Sequence, residues 1–173
     1  MTRKINAKDI PALACELRAG DSVLLSGSVY TARDAAHKRL CALLDKALPL
    51  PFDMAGAVIY YAGPTPAPPG LPIGSAGPTT SSRMDVYTPA LLRAGLRGII
   101  GKGPRRPEVC RAIAEAEAVY FCALGGAGAL AARCILSCEE IAFPELGCES
   151  VKRLTFADFP LIVGVDVTGG SLF

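Results

Sequence analysis

Three short strings place cations beside backbone amides and hydroxyls: Thr31-Ala-Arg33-Asp34-Ala-Ala-His37, Gly77-Pro-Thr79-Thr80-Ser81-Ser82-Arg83 and Gly101-Lys102-Gly103. Arg offers a planar two-pronged donor to a carboxylate, and Lys adds a point charge. Three cations, Arg33, Arg83 and Lys102, suit a small dicarboxylate better than a monoanion. Thr79 and Thr80 add hydroxyls, and Asp34 and His37 could stand behind the cations as supporting groups. Simpler roles stand beside these. Asp34 and His37, three residues apart, could only support a helix start. Arg33 could be a surface ion pair, and Thr79 and Thr80 could be helix caps. Lys38, Arg39, Arg93, Arg97, Arg105 and Arg106 read as solvated charges.

Two other motifs are weaker. Gly101-Lys102-Gly103 is not a P-loop, because Leu96 stands five residues before Gly101 and a glycine follows the lysine. Gly126-Ala-Gly128-Ala-Leu-Ala131 matches a dinucleotide fingerprint, with Glu145 and Glu149 near the distance of a ribose-binding acid. Tight helix packing explains those glycines equally well. The seven cysteines are odd in number and contain no C-x-x-C pair, and there is a single histidine. Neither a disulfide framework nor a zinc cage is expected, so no metal ligand is assigned to this chain.

The elements that must position these groups alternate between helix and strand. A helix is predicted from Ile10 to Leu17, stopped by Gly20, and a strand over Ser22 to Tyr30. Thr31 then reads as the N-cap of a helix over residues 32–48, ended by Pro49 and Pro51. Ala57 to Ala62 is a buried strand. Gly63 to Pro78 holds six Pro and four Gly between ordered segments and reads as a functional loop. Helix in two pieces is predicted over 81–94, a strand over 98–100, a helix over 108–116 and a strand over 118–124. A glycine cluster with a helix (125–136) follows, then strands over 141–143, 150–156 and 161–167. All three cation strings fall at strand ends, the usual addresses of α/β sites.

At 173 residues, 51% hydrophobic and 20% charged, the chain suits one globular domain, taken as 1–173 with a short N-terminal extension over 1–9. A net charge of +2 gives no reason to expect nucleic acid or a membrane surface as partner. With no secretory signal and unpaired thiols, a cytoplasmic location is expected.

The strings SGSVYTARDAAHKRL, YYAGPTPAPPG with IGSAGPTTSSRMDVYTP, IIGKG, AVYFCALGGAGAL and DFPLIVGVDVTG together resemble the β subunit of iron-sulfur hydro-lyases, the class I fumarate hydratase and L(+)-tartrate dehydratase family. The resemblance implies an α/β fold, a swivelling β/β/α three-layer domain with a mixed sheet. It implies a β subunit that hydrates fumarate to malate reversibly, with L(+)-tartrate dehydratase or mesaconate hydratase as alternatives. A non-catalytic dicarboxylate-binding module is the alternative of another class. By resemblance, Arg33, Arg83 and Lys102 clamp the substrate carboxylates with Thr80 beside them. Thr79 is the base, with Asp34 and His37 in reserve. A [4Fe-4S] cluster would be ligated by a partner α subunit and not by this chain, in a homodimeric or heterotetrameric assembly.

Overall fold

Short apolar runs become parallel strands here because each is followed by a helix or loop that crosses back before the next. The computed structural model describes residues 2–173. In chain order the elements are β1 (Arg3–Asn6), α1 (Ile10–Leu13), β2 (Ser22–Thr31), α2 (Asp34–Asp45), β3 (Val58–Tyr60), α3 (Thr88–Arg93), β4 (Gly98–Gly101), α4 (Pro107–Glu115), β5 (Val119–Cys122), α5 (Gly128–Arg133), β6 (Ile135–Ala142) and β7 (Val151–Val165). Strands β2, β3, β4 and β5 are parallel neighbours. Strand β7 runs antiparallel to both β5 and β2, which closes five strands into a ring. Strand β1 adds to β2 in parallel, and β6 adds to β7 antiparallel. The fold is α/β with a mixed sheet.

The two-residue alternation of the strands separates two cores. Val58 and Tyr60 of β3, Ile100 of β4, Val119 and Phe121 of β5, and Leu154, Phe156 and Val163 of β7 face one another inside the ring. Ile59, Ile99 and Tyr120 point outward, against Ala36 and Leu40 of α2, Leu91 and Leu92 of α3, and Val109 and Ile113 of α4. Helices α2, α3 and α4 thus cover the outside of the closed sheet, while Ile10 of α1 and Ala131 of α5 join the inner core.

Several boundaries differ from the sequence expectation. The first residues are not a bare extension, because residues 3–6 form β1 and Ile5 is buried. Thr31 is the last residue of β2 and caps no helix; its hydroxyl accepts from the Lys152 amide at 3.1 Å, tying β2 to β7. Helix α2 starts at Asp34 after Arg33, with no side-chain cap. Residues 135–140, expected as helix end and loop, belong to β6. The two strands predicted over 150–167 are one, interrupted only at Asp158, whose φ is +49° and whose amide donates to Ser26 Oγ at 2.9 Å. Ala157 and Asp158, opposite the single residue Ser26, form a bulge and not a break.

Candidate functional site

The carboxyl ends of β2, β3, β4 and β5 open on one face, and every cation singled out from the sequence is delivered there by the chain leaving a strand. Arg33 and Asp34 follow β2. The loop after β3 carries Thr79, Thr80 and Arg83, and Lys102 follows β4.

Arg33 and Arg83 converge on one carboxylate. Arg83 donates from Nε to Asp34 Oδ1 at 2.9 Å and from Nη2 to Oδ2 at 2.7 Å. Arg33 Nη2 lies 3.6 Å from the same Oδ2. The Arg83 hydrogen bonds hold the Asp34 carboxyl below its ordinary value, in spite of partial burial. Asp34 is therefore an anion that fixes guanidinium groups and a poor proton carrier. A guanidinium has five N–H donors in two forks, and Asp34 occupies only the Nε/Nη2 fork of Arg83. The outer fork, one proton each from Nη1 and Nη2, stays available to a second carboxylate.

Thr79 is half-buried and its amide donates to the Tyr61 carbonyl at 2.7 Å. Thr80 is exposed and precedes a 3-10 turn (Ser81–Met84) without capping it. Neither hydroxyl has a hydrogen-bond partner among the described residues. Lys102 is half-buried and in no ion pair among the described residues. Its amide donates to Ser81 Oγ at 2.7 Å. Gly101 must be glycine for this arrangement, because a Cβ there would overlap the Ser81 hydroxyl.

His37 is not on this face. Its ring is fully buried, packed edge-on to Tyr61 at 5.0 Å between centroids and beside Tyr87. Burial pushes its pKa down to about 4, so the imidazole is neutral. Nδ1 donates to the Arg33 carbonyl at 2.8 Å, and the buried Nε2 has no partner. The ring supports the backbone under Arg33.

Four residues that the sequence reading gave another role or none surround this face. Ser81 lies within a run of hydroxyl residues, and only the fold shows that it alone is buried. Arg105 is not a solvated charge: it donates to Asp85 at 2.6 Å and to Thr88 Oγ1 at 2.9 Å, between the rings of Tyr61 and Tyr120. Tyr120 in turn donates to the Gly103 carbonyl at 2.9 Å, so this layer underlies the Lys102 loop. Glu149 ends a 3-10 turn (Pro144–Glu149) and brings Oε1 within 3.2 Å of Arg33 Nε, out of line for a hydrogen bond.

The glycine fingerprint has a packing role. A Cβ on Gly128 would lie 2.9 Å from the Gly77 amide nitrogen, and the Gly128 carbonyl accepts from Ala76 at 3.1 Å. Helix α5 thus abuts the Pro/Gly loop, itself ordered by Thr65, which accepts from Ser75 and Gly74. The donor set does not fit an iron-sulfur cluster in this chain. All seven cysteines are unpaired, and no three metal-binding side chains group together among the described residues. Burial pushes the thiols of Cys41, Cys110, Cys122, Cys134 and Cys138 up, towards the protonated form that binds metal poorly. Among the described residues no helix is long and apolar enough to cross a membrane.

Residues 2–173 match the family model described as Fumarase C-terminus. The chain is 36% identical to "Fumarate hydratase class I, anaerobic" of Escherichia coli over 96% of its own length and 31% of the relative's. Against "Fumarate hydratase 2" of Leishmania major it is 38% identical over 89% of this chain and 28% of the relative. Against "Putative L(+)-tartrate dehydratase subunit beta" of Methanocaldococcus jannaschii it is 36% identical over 98% of this chain and 88% of the relative. The chain spans about three tenths of the length of the fumarate hydratases that it matches.

Proposed function

Because the chain belongs to the fumarase C-terminus family, whose relatives named above are hydro-lyases, we propose that it is the dicarboxylate-binding β subunit of such an enzyme. The observation that carries this reading is the convergence of Arg33 and Arg83 on Asp34, with Lys102 and Thr79 on the same open face. Fumarate is the first substrate we propose. Hydration places a hydroxyl on one alkene carbon and a proton on its neighbour, giving malate; the reverse removes both as water. Arg33, Arg83 and Lys102 hold the two carboxylates, with Thr80 beside them, and Thr79 Oγ takes the proton next to a carboxylate in the dehydrating direction. A threonine can do this only as its alkoxide, and the cations on this face lower the cost of that form.

We assign the [4Fe-4S] cluster to an α partner, as the family resemblance implies and as the absence of a grouped ligand set among the described residues supports, and no step here is routed through it. The half-open face supports a partner, as do the exposed Leu124 and Leu130 flanking the glycine loop. A relative named as a β subunit, matched over 88% of its length, points the same way. That relative also favours L(+)-tartrate as the second substrate reading, with mesaconate behind it. The unpaired thiols fit a reducing compartment, and we place the protein in the cytoplasm.

Anaerobic co-expression with a candidate α subunit, followed by separate assays of fumarate, mesaconate and L-tartrate, tests the reading. Turnover of one is expected, and Arg83→Ala should lower it by about a hundredfold or more without unfolding the chain. An active complex indifferent to Arg83→Ala removes Arg83 from the site. A correctly assembled complex inert towards all three leaves the non-catalytic dicarboxylate-binding module as the better description.

A further inference from the structure

We propose that Gly63 and Glu149 form a cradle that sets the direction of the Arg33 guanidinium, and that Glu149 is therefore a positioning residue of this site. The inference rests on the dicarboxylate-binding reading for its consequence, but not for its geometry. Arg33 is followed by Asp34, which is committed to Arg83 through both oxygens. At 3.6 Å from Oδ2, the Arg33 Nη2 has only the weaker share of that carboxylate. Something else must hold its guanidinium, whose side chain is mostly buried.

Two distant segments do so. The first is Gly63, which leaves β3 with an ordinary φ and so does not need glycine for its backbone. It needs glycine for space: a Cβ there would lie 2.9 Å from Arg33 Cδ, 3.2 Å from Nη1 and 3.2 Å from the Cys148 carbonyl oxygen. The Arg33 stem therefore lies directly on the Gly63 backbone. The second is Glu149, whose Oε1 lies 3.2 Å from the buried Nε. Nε is the inner edge of the guanidinium. A carboxylate facing that edge turns Nη1 and Nη2 outward, towards the face shared with Arg83 and Lys102. The off-line approach means that a small rotation of the guanidinium completes an Nε–H···Oε1 bond, and substrate carboxylate pulling on the outer fork is the event that supplies it.

The test uses the arginine Nε–Hε resonances of the full labelled chain, with Arg33 identified by Arg33→Lys. Glu149→Gln, nearly isosteric but neutral, should shift the Arg33 Hε resonance and hasten its exchange with water, leaving that of Arg83 in place. Gly63→Ala should do the same by pushing the flexible Arg33 side chain aside, and it covers the case in which Glu149→Gln does not fold. In the assembled enzyme, Glu149→Gln should raise KM for the dicarboxylate about tenfold with kcat within about twofold, and Glu149→Asp should recover part of the loss. An Arg33 Hε signal unmoved in both variants overturns the cradle, and so does an unchanged KM in a complex that turns over. If no dicarboxylate is turned over, the proposed activity fails and the Hε signals alone decide the cradle.

Discussion

The molecule contains the same pair of side chains twice, under opposite conditions. Arg83 and Asp34 meet at the strand ends with side-chain exposures of 50% and 33%, whereas Arg105 and Asp85 meet one layer below with both side chains at 0%. Arg83 donates to both oxygens of Asp34, whereas Arg105 donates from Nε to one oxygen of Asp85 and from Nη2 to Thr88 Oγ1, but the short distances alone do not separate the two pairs. Solvent does. In water the mutual attraction is weak, and a fork left over can take another carboxylate. Inside, the two ions have given up hydration: Arg105 Nε and Nη2 are bound, its buried Nη1 has no partner among the described residues, and Tyr61 and Tyr120 cover the guanidinium faces. One pair is placed for exchange and the other for permanence.

The largest effect expected from this contrast is on the buried pair. Asp85→Asn leaves Arg105 charged in a closed site, and should cost about 3–5 kcal/mol in urea unfolding. Removing both charges with Asp85→Leu and Arg105→Met should recover most of that loss, because neither ion is then stranded. A single variant as stable as the parent would show that Arg105 finds water, and the contrast between the two pairs would collapse. His37, in the same outer core, gives the next effect. Its folded pKa lies near 4, below the ordinary 6.5, so the unfolded chain binds the extra proton between these values. Stability should therefore fall as pH falls from about 6.5 to about 4, by on the order of 3 kcal/mol, and His37→Gln should flatten that slope. As the chain has one histidine, a slope that survives in His37→Gln assigns the titration elsewhere.

This contrast also marks what the sequence could and could not disclose. The placement of Arg33 and Lys102 was legible because each follows an apolar run that ends a parallel strand, and that of Arg83 because it closes a Pro/Gly loop among hydroxyls. Val58 to Tyr60 and Val119 to Cys122 were legible as buried strands for the same reason: apolar runs too short for helices. Arg105 was not legible. It lies three residues after Lys102 in a polar stretch, and its burial depends on Asp85, twenty residues earlier, and on two tyrosines, one just after β3 and one in β5. Glu149 reaches Arg33 from 116 positions away. His37 failed as an acid/base candidate because helical phase decides its fate: three residues after Asp34, it turns from the rim into the core. The bulge at Asp158 hid the length of β7, since a left-handed residue inside a strand looks like a turn until its partner strand is known.

The smallest effect separates a tether from a proton carrier at the exposed pair. Asp34 is held below its ordinary pKa chiefly by the hydrogen bonds from Arg83. Its stabilising contribution is thus present above the unfolded carboxyl pKa and disappears as pH falls through the folded value. Asp34→Asn should therefore differ from the parent at neutral pH and converge with it in acid. Since the pair faces water, the change in Tm should stay below about 3 °C and shrink in about 1 M salt. Turnover decides the role. If Asp34 carried the proton, Asp34→Asn would remove the chemical step and kcat would collapse by about a hundredfold or more. As a tether it leaves the step intact but lets the Arg83 fork wander, so that KM rises several-fold while kcat stays within about threefold. A collapse of kcat at constant KM would move Asp34 into the reaction and end the comparison with Asp85, since the two aspartates would then differ in chemistry as well as in solvent.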